Sequence, residues 1–283
     1  MPRQSPLPAV RFAAYRGRKE RGDTMFDLQD KALQRAKGRA HVGFESGRLK
    51  ALSQAGSAKV MLPATHDAVP EAVFLNTAGG LTGGDRFSFS GAVQGGTVMM
   101  TTQTAERAYA STGDDAVVDV SFQVGKGATL YWLPQETILF DQSALKRHTR
   151  IDAAPDARVL ALEMIVLGRA AMGERLTRFS LLDRRELHGA APIWVDALRL
   201  DETLLGAAAG LGSARAFATL LFYAPDAEDI ATRLTLPDSL ALSAWDGKLV
   251  IRGAAADLWP LKQALAPVIG QLAGGRLPRV WAV

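Results

Sequence analysis

From Ala40 onward the chain reads as short apolar–polar alternations cut by turn residues. Such a period of two predicts half-buried strands. The windows are His41–Glu45, Ala58–Leu62, Ala72–Leu75, Phe87–Phe89, Thr97–Thr102, Arg107–Ser111, Val117–Val124 and Ala128–Leu133. They continue as Thr137–Phe140, His148–Asp152, Arg158–Val166, Arg175–Leu182, Glu186–His188, Ile193–Leu200, Ala216–Phe222, Leu240–Trp245 and Lys248–Arg252. Two links read as hairpins: Gly125-Lys126-Gly127, and Asp246-Gly247, whose pairing of an Asp with a following glycine is the strongest short hairpin signal in the chain. About seventeen short strands at this spacing predict a mainly β domain, stacked, sandwiched or coiled. No fixed-period repeat supports a regular solenoid.

Helical patterning is sparse. Thr203–Leu211 is short and broken by glycine, and Asp226–Leu234 opens with acidic residues after Pro225. Ala256–Leu272 is the clearest helix. Asp257 can cap it, Leu261, Leu265, Val268 and Ile269 form one stripe, and Gly274-Gly275 end it. Pro267 predicts a bend or a split. No compositional break after residue 40 marks a linker, so residues 25–283 form one predicted β domain.

One stretch departs from this patterning. Phe74–Phe87 holds Gly79, Gly80, Gly83 and Gly84 and ends in Asp85-Arg86, between an apolar and an alternating segment. The expectation is a strand, a tight glycine corner and a strand. The corner either cradles an anion or partner on its backbone N–H groups, or is an arch whose glycines satisfy geometry alone. No Lys-Ser/Thr pair and no helix follow it, which excludes a P-loop and a dinucleotide fingerprint.

Charge changes the picture at one end. Residues 1–24 carry Arg3, Arg11, Arg16, Arg18, Lys19 and Arg21 against Glu20 and Asp23, and so account for the whole formal net charge of +4. The remainder is balanced, so nucleic acid is not an expected partner. The Pro- and Arg-rich tail is expected to be disordered, and Met25 is a plausible alternative start. There is no cysteine, which removes disulfides, thiolate chemistry and Cys-ligated metals and fits a reducing compartment. The tail has no signal-peptide pattern and nothing resembles a membrane span, so a cytoplasmic protein is expected.

Candidate chemistry rests on carboxylates. His41, His66, His148 and His188 have no ligand-pair spacing, and GxSxG is absent. Asp114-Asp115 beside Gly113 is a turn. Glu136 and Asp141 bracket an apolar run, and Glu163 stands inside Val159–Leu167. A carboxylate there needs a partner, water or a metal. Either these groups line a polar route inside the β structure, or they pair with Arg147, Arg150 or Arg169. A β-rich hydrolase using Glu136 and Asp141, or a ligand-binding β module, is the alternative.

Five blocks in order carry a resemblance: NTAGGLTGGDRF (76–87), TTQTAERAY (101–109), LPQETILFD (133–141), EMIVLGRAAMGE (163–174) and LPRVW (277–281). Together they closely resemble the UreD (UreH) family of urease accessory proteins, from about Gln34 to the C-terminus. The resemblance implies a non-enzymatic, helix-poor β stack. It assembles with a UreF-type accessory protein and a UreG-type GTPase to load nickel into apo-urease, through an internal water-filled tunnel in one proposal. It implies no tightly bound cofactor: nickel passes transiently, and GTP belongs to the GTPase. In that light Asp85, Glu136, Asp141 and Glu163 become candidates for a transient nickel path. Gly79, Gly80, Gly83, Gly84, Arg86, Gly168, Arg169, Gly173 and Glu174 become partner-facing or structural motif positions.

Overall fold

The computed structural model describes residues 35–281 apart from 65–66, 170–171, 206 and 208–209. The expected tail over 1–24, the alternative start at Met25 and His66 lie outside the described residues.

Among the described residues, seventeen strands form two sheets. The seven-stranded sheet runs, in spatial order, β14 (Pro192–Asp201), β13 (Ser180–His188), β11 (Ala144–Ala153), β8 (Ala116–Val124), β5 (Arg86–Gln94), β1 (Lys37–Glu45) and β2 (Arg48–Gly56). The ten-stranded sheet runs β16 (Leu240–Trp245), β17 (Lys248–Ala255), β15 (Ala216–Tyr223), β12 (Arg158–Leu167), β9 (Ala128–Trp132), β6 (Gly96–Thr102), β4 (Glu71–Asn76) and β3 (Ala58–Met61). Two short strands complete it: β10 (Thr137–Leu139) pairs with β12, and β7 (Glu106–Ala108) with β10.

The middle strands of both sheets are parallel, although no helix connects them. Parallel pairing needs a long crossover, and here each crossover is a strand of the opposite sheet. Arg86, Val117, Lys146 and Leu182 therefore stand side by side in successive coils of one sheet. Glu71, Met99, Tyr131 and Leu160 do the same in the other. The chain coils without repeating its sequence, because each coil asks only for alternation and a corner.

Two hydrophobic layers follow. Inward side chains of both sheets, among them Val42, Phe74, Phe89, Phe122, Trp132 and Ile151, pack against one another. The other face of the ten-stranded sheet lies under two helices, α1 (Ala227–Ala231) and α2 (Leu258–Leu272). Leu261, Leu265, Val268 and Ile269 of α2 meet Leu160, Leu162, Met164 and Leu220. Being covered on both faces, β12 reads as an almost continuous apolar run. Asp257 caps α2 by accepting from the Trp259 N–H at 2.8 Å, and Pro267 is accommodated inside the helix without splitting it. None of the described helices is long and apolar enough to cross a membrane.

Three expectations change. β2 was not expected: all nine of its residues are exposed, so its weak alternation carried no burial signal. The two windows Arg175–Leu182 and Glu186–His188 give one strand, β13, which begins at Ser180 and runs on because Asp183 and Arg185 between them are buried instead of turning. Gly125-Lys126-Gly127 is not a hairpin: β8 and β9 belong to different sheets, and the glycines turn an arch. Asp246-Gly247 is a hairpin, with both residues at positive φ and Trp245 facing Lys248.

Candidate functional site

The glycine corner is an arch linking β4 in one sheet to β5 in the other. Gly80 stands at φ +151°, and a Cβ there would strike the Tyr109 ring and, at 2.7 Å, the Arg107 carbonyl. A Cβ on Gly83 would meet Ser111 and the Asp114 carbonyl. Gly79 and Gly84 share positive φ. The anion at this corner is the chain's own, and one N–H of the corner and one from outside it serve that carboxylate. Asp85 is buried and accepts from Ala36 N–H at 2.7 Å and Thr82 N–H at 2.9 Å. Arg86 is exposed at the start of β5.

The four inner sequence blocks meet because each is the same segment of a successive coil. Leu81 bridges to Ala108, β7 pairs β10, and β10 pairs β12. The Tyr109 ring lies edge-on to Phe140 at 4.9 Å, and the Arg169 guanidinium sits 4.3 Å above the Phe140 ring. Arg169 donates to Glu174 from its backbone N–H at 2.9 Å and from Nε at 3.0 Å, holding that carboxyl below its usual range. Gly168 and Gly173 turn the same loop at positive φ. The terminal block docks onto the first and third coils. The Arg279 N–H reaches Glu71 at 3.3 Å, the Val280 carbonyl accepts from Gln135, and Trp281 Nε1–H donates to the Leu133 carbonyl.

Between the two sheets the apolar layer gives way to a polar seam. Arg147 of β11 points inward and donates to Asp183 of β13 through Nε at 3.0 Å and Nη2 at 2.8 Å. Its Nη1 donates to Thr137 of β10 at 2.9 Å and lies 2.5 Å from Glu163 of β12. Arg147, Glu163 and Asp183 are all buried. The seam continues through Arg185 to Asp196, 3.0 Å apart, and Arg252 reaches the same Asp196 carboxylate at 3.0 Å. On its other side Glu106, which pairs in register with Thr137, accepts from Asn76 at 3.3 Å, and Asn76 also donates to the Gly80 carbonyl.

Two carboxyls in the seam hold protons far more tightly than usual. Burial pushes Glu163 up to about 7, with Arg147 opposing and Asp183 adding to the rise. Burial also pushes Glu106 up to about 7, against the Asn76 hydrogen bond. Burial works on Asp183 in the same sense, but Arg147 and Arg185 outweigh it and hold the group below its usual range. Of two carboxyls sharing one guanidinium, one is thus firmly ionised and the other is poised near neutrality. Beside them is a small cavity of about 20 Å³, lined among others by Trp132, Thr149, Glu163, Arg185 and Thr219. That is room for one water molecule. Trp132 Nε1, Thr149 Oγ1 and Arg185 Nε find no hydrogen-bond partner in the protein.

The expected carboxylates are not brought together. Glu163 lies in the seam. Asp85 pins the corner. Glu136 is paired with Lys262 of α2 at 2.7 Å. Asp141 accepts from Thr177 and Arg178 N–H groups at 2.6 and 3.1 Å, which hold it below its usual range. Glu136 and Asp141 thus serve different partners, not one cleft. Among the described residues no three His, Asp or Glu side chains are arranged to hold a metal. Sequence reasoning missed Glu106, Asp183, Arg185 and Asp196. The signal that could have found Asp183 and Arg185 was their inward parity with Leu181 and Leu187.

Residues 36–282 match the family model described as UreD urease accessory protein. A urease accessory protein UreD of Cereibacter sphaeroides (strain ATCC 17025) is 49% identical over 88% of this chain and 96% of its own. One from Jannaschia sp. (strain CCS1) is 47% identical over 92% of this chain and 100% of its own. One from Paracoccus denitrificans is 42% identical over 95% of this chain and 100% of its own. With the coiled β architecture and the five blocks that build its end, the match places this chain in the UreD family of urease accessory proteins.

Proposed function

We propose that this chain is a β-rich scaffold subunit of a urease-maturation complex. It joins a UreF-type protein and a UreG-type GTPase in the cytoplasm and passes nickel to apo-urease without making or breaking covalent bonds itself. The observation that carries this reading is the polar seam inside a protein of the urease accessory family. Ionic groups buried between two sheets cost more than apolar packing of the same volume, so their presence there calls for a role beyond stability. Glu106, Glu163 and Asp183 offer the oxygen ligands that a hard-to-borderline divalent cation accepts weakly and releases readily.

Passage requires side chains to move, because Arg147 fills the space between Glu163 and Asp183. In this reading Asp85, Glu136 and Asp141 hold the surrounding corners, and Glu163 is the member of the path. The test is deletion of the gene in a urease-positive host, with urease assayed at ordinary and raised nickel. Loss of activity at ordinary nickel is expected. Unchanged activity at both levels contradicts the reading.

A further inference from the structure

The outward face of the seven-stranded sheet carries no second layer among the described residues, and its charge is uneven. The pairing register sets two rows of outward side chains across six strands. One row is Lys37, Arg86, Val117, Lys146, Leu182 and Arg199. The next is Arg39, Ser88, Asp119, His148, Arg184 and Ala197. The cations of these rows are exposed, and the rows hold one carboxylate, Asp119. Two depressions of about 460 and 420 Å³ lie along them and share Val117 and Asp119, so they form one groove running across the strands.

Part of this charge is met by neighbours: Lys146 pairs with Asp115 at 2.6 Å, Arg184 with Glu186, and Arg199 reaches Asp201 at 3.7 Å. At the other end Lys37, Arg39 and Arg86 have no ion-pair partner among the described residues. Cross-strand like charges such as Lys37 beside Arg86 repel each other. A fold that keeps them adjacent leaves a field that a partner of opposite sign would relieve.

We propose that this groove docks an extended acidic segment of a partner protein. Six strands at about 4.8 Å spacing make a groove of about 24 Å, which an extended chain of about seven residues spans. Spaced carboxylates would meet the cations of both rows, and a backbone N–H or a basic side chain would meet Asp119. That central carboxylate is what favours a polypeptide over a nucleic acid, whose unbroken run of phosphates it would repel. Charge complementarity of this kind chiefly sets encounter rate and specificity. The proposal stands apart from the nickel reading, since it concerns the outer face of the sheet and not the seam.

The test uses the full chain and two fluorescent probes, an alternating Glu-Ala peptide of about eight residues and a single-stranded oligothymidylate of similar length. Anisotropy is read at about 50 mM and about 300 mM salt. The expected result is peptide binding at low salt that weakens at least about tenfold in Lys37→Glu/Arg39→Glu/Arg86→Glu and in Lys146→Glu/Arg199→Glu. All five positions are exposed, and a far-UV spectrum verifies that each variant is folded. The basic residues before 25 are common to parent and variants, so the difference reports the groove alone. Carbodiimide coupling of the peptide should map to Lys37 and Lys146. Equal binding by parent and variants, coupling confined to other lysines, or tighter binding of the oligonucleotide than of the peptide would each overturn the proposal. None of these outcomes bears on the deletion phenotype.

Discussion

β12 separates two interiors that differ in kind. On its helix side Leu160, Leu162 and Met164 pack into an apolar layer under α2. On its sheet side Val159, Ile165 and Leu167 are joined by Glu163, with Arg147 and Asp183 facing it. Both sides are buried, yet one is built as a stability layer and the other carries three ionisable groups through its middle. Apolar burial stabilises by about 25 cal/mol per Å², whereas buried ion pairs at best offset their own desolvation. The dry layer therefore holds the fold together, and the seam is retained for something other than holding it.

The largest effect should come from breaking the seam on one side only. Arg147→Ala leaves Glu163 without its paired cation and Asp183 with Arg185 alone, and is expected to cost about 3–5 kcal/mol in denaturant unfolding. A loss below about 1 kcal/mol would mean the seam is already well solvated. Next is the dry layer: Leu265→Ala should cost about 2–5 kcal/mol by transfer and cavity terms, while the folded fraction keeps its capacity to support urease. A folded Leu265→Ala protein inactive in that assay would erase the contrast between the two interiors.

The third and smallest effect sharpens the electrostatics. Glu106 is raised to about 7 by burial, so the folded state holds its proton where the unfolded state has lost it. Parent stability should then fall as pH rises from about 4.5 to about 7, and level off above that. Glu106→Gln removes that group's share of the slope and leaves the share of Glu163, which burial raises to a similar value. The variant's stability relative to the parent should rise by about 1 kcal/mol across the same window, less than the full shift implies because the carboxyl is partly open to solvent. Parallel curves for the two proteins would show that Glu106 titrates normally.

Much of the scaffold was legible because alternation reports one buried face, as β8 and β11 illustrate. β2 escaped because an edge strand with every residue exposed carries no such pattern. β13 was split because Asp183, Arg184 and Arg185 look like a solvated turn in one dimension, whereas two of the three point into the inter-sheet space. The arch at Gly125–Gly127 was misread because glycines between two strands do not tell which sheet the second strand joins. Glu163 was noticed for the cost of burying it, and Arg147 was among the partners considered. Glu106 went unnoticed, since its burial depends on coils far apart in sequence. The glycine corner was readable as a bend, but not the fact that Asp85 ties Thr82 of that corner to Ala36.

The most direct test replaces the seam by apolar volume, as Arg147→Met/Glu163→Leu/Asp183→Leu. Such exchanges of buried ion clusters leave stability within about 1 kcal/mol of the parent or raise it by about 1–4 kcal/mol. The variant is expressed in the deletion host, its co-purification with the UreF-type partner is measured, and urease is assayed at ordinary nickel. If the seam carries the metal, the variant folds and still assembles but fails to activate urease. A stable, assembled variant that activates urease as well as the parent would contradict it.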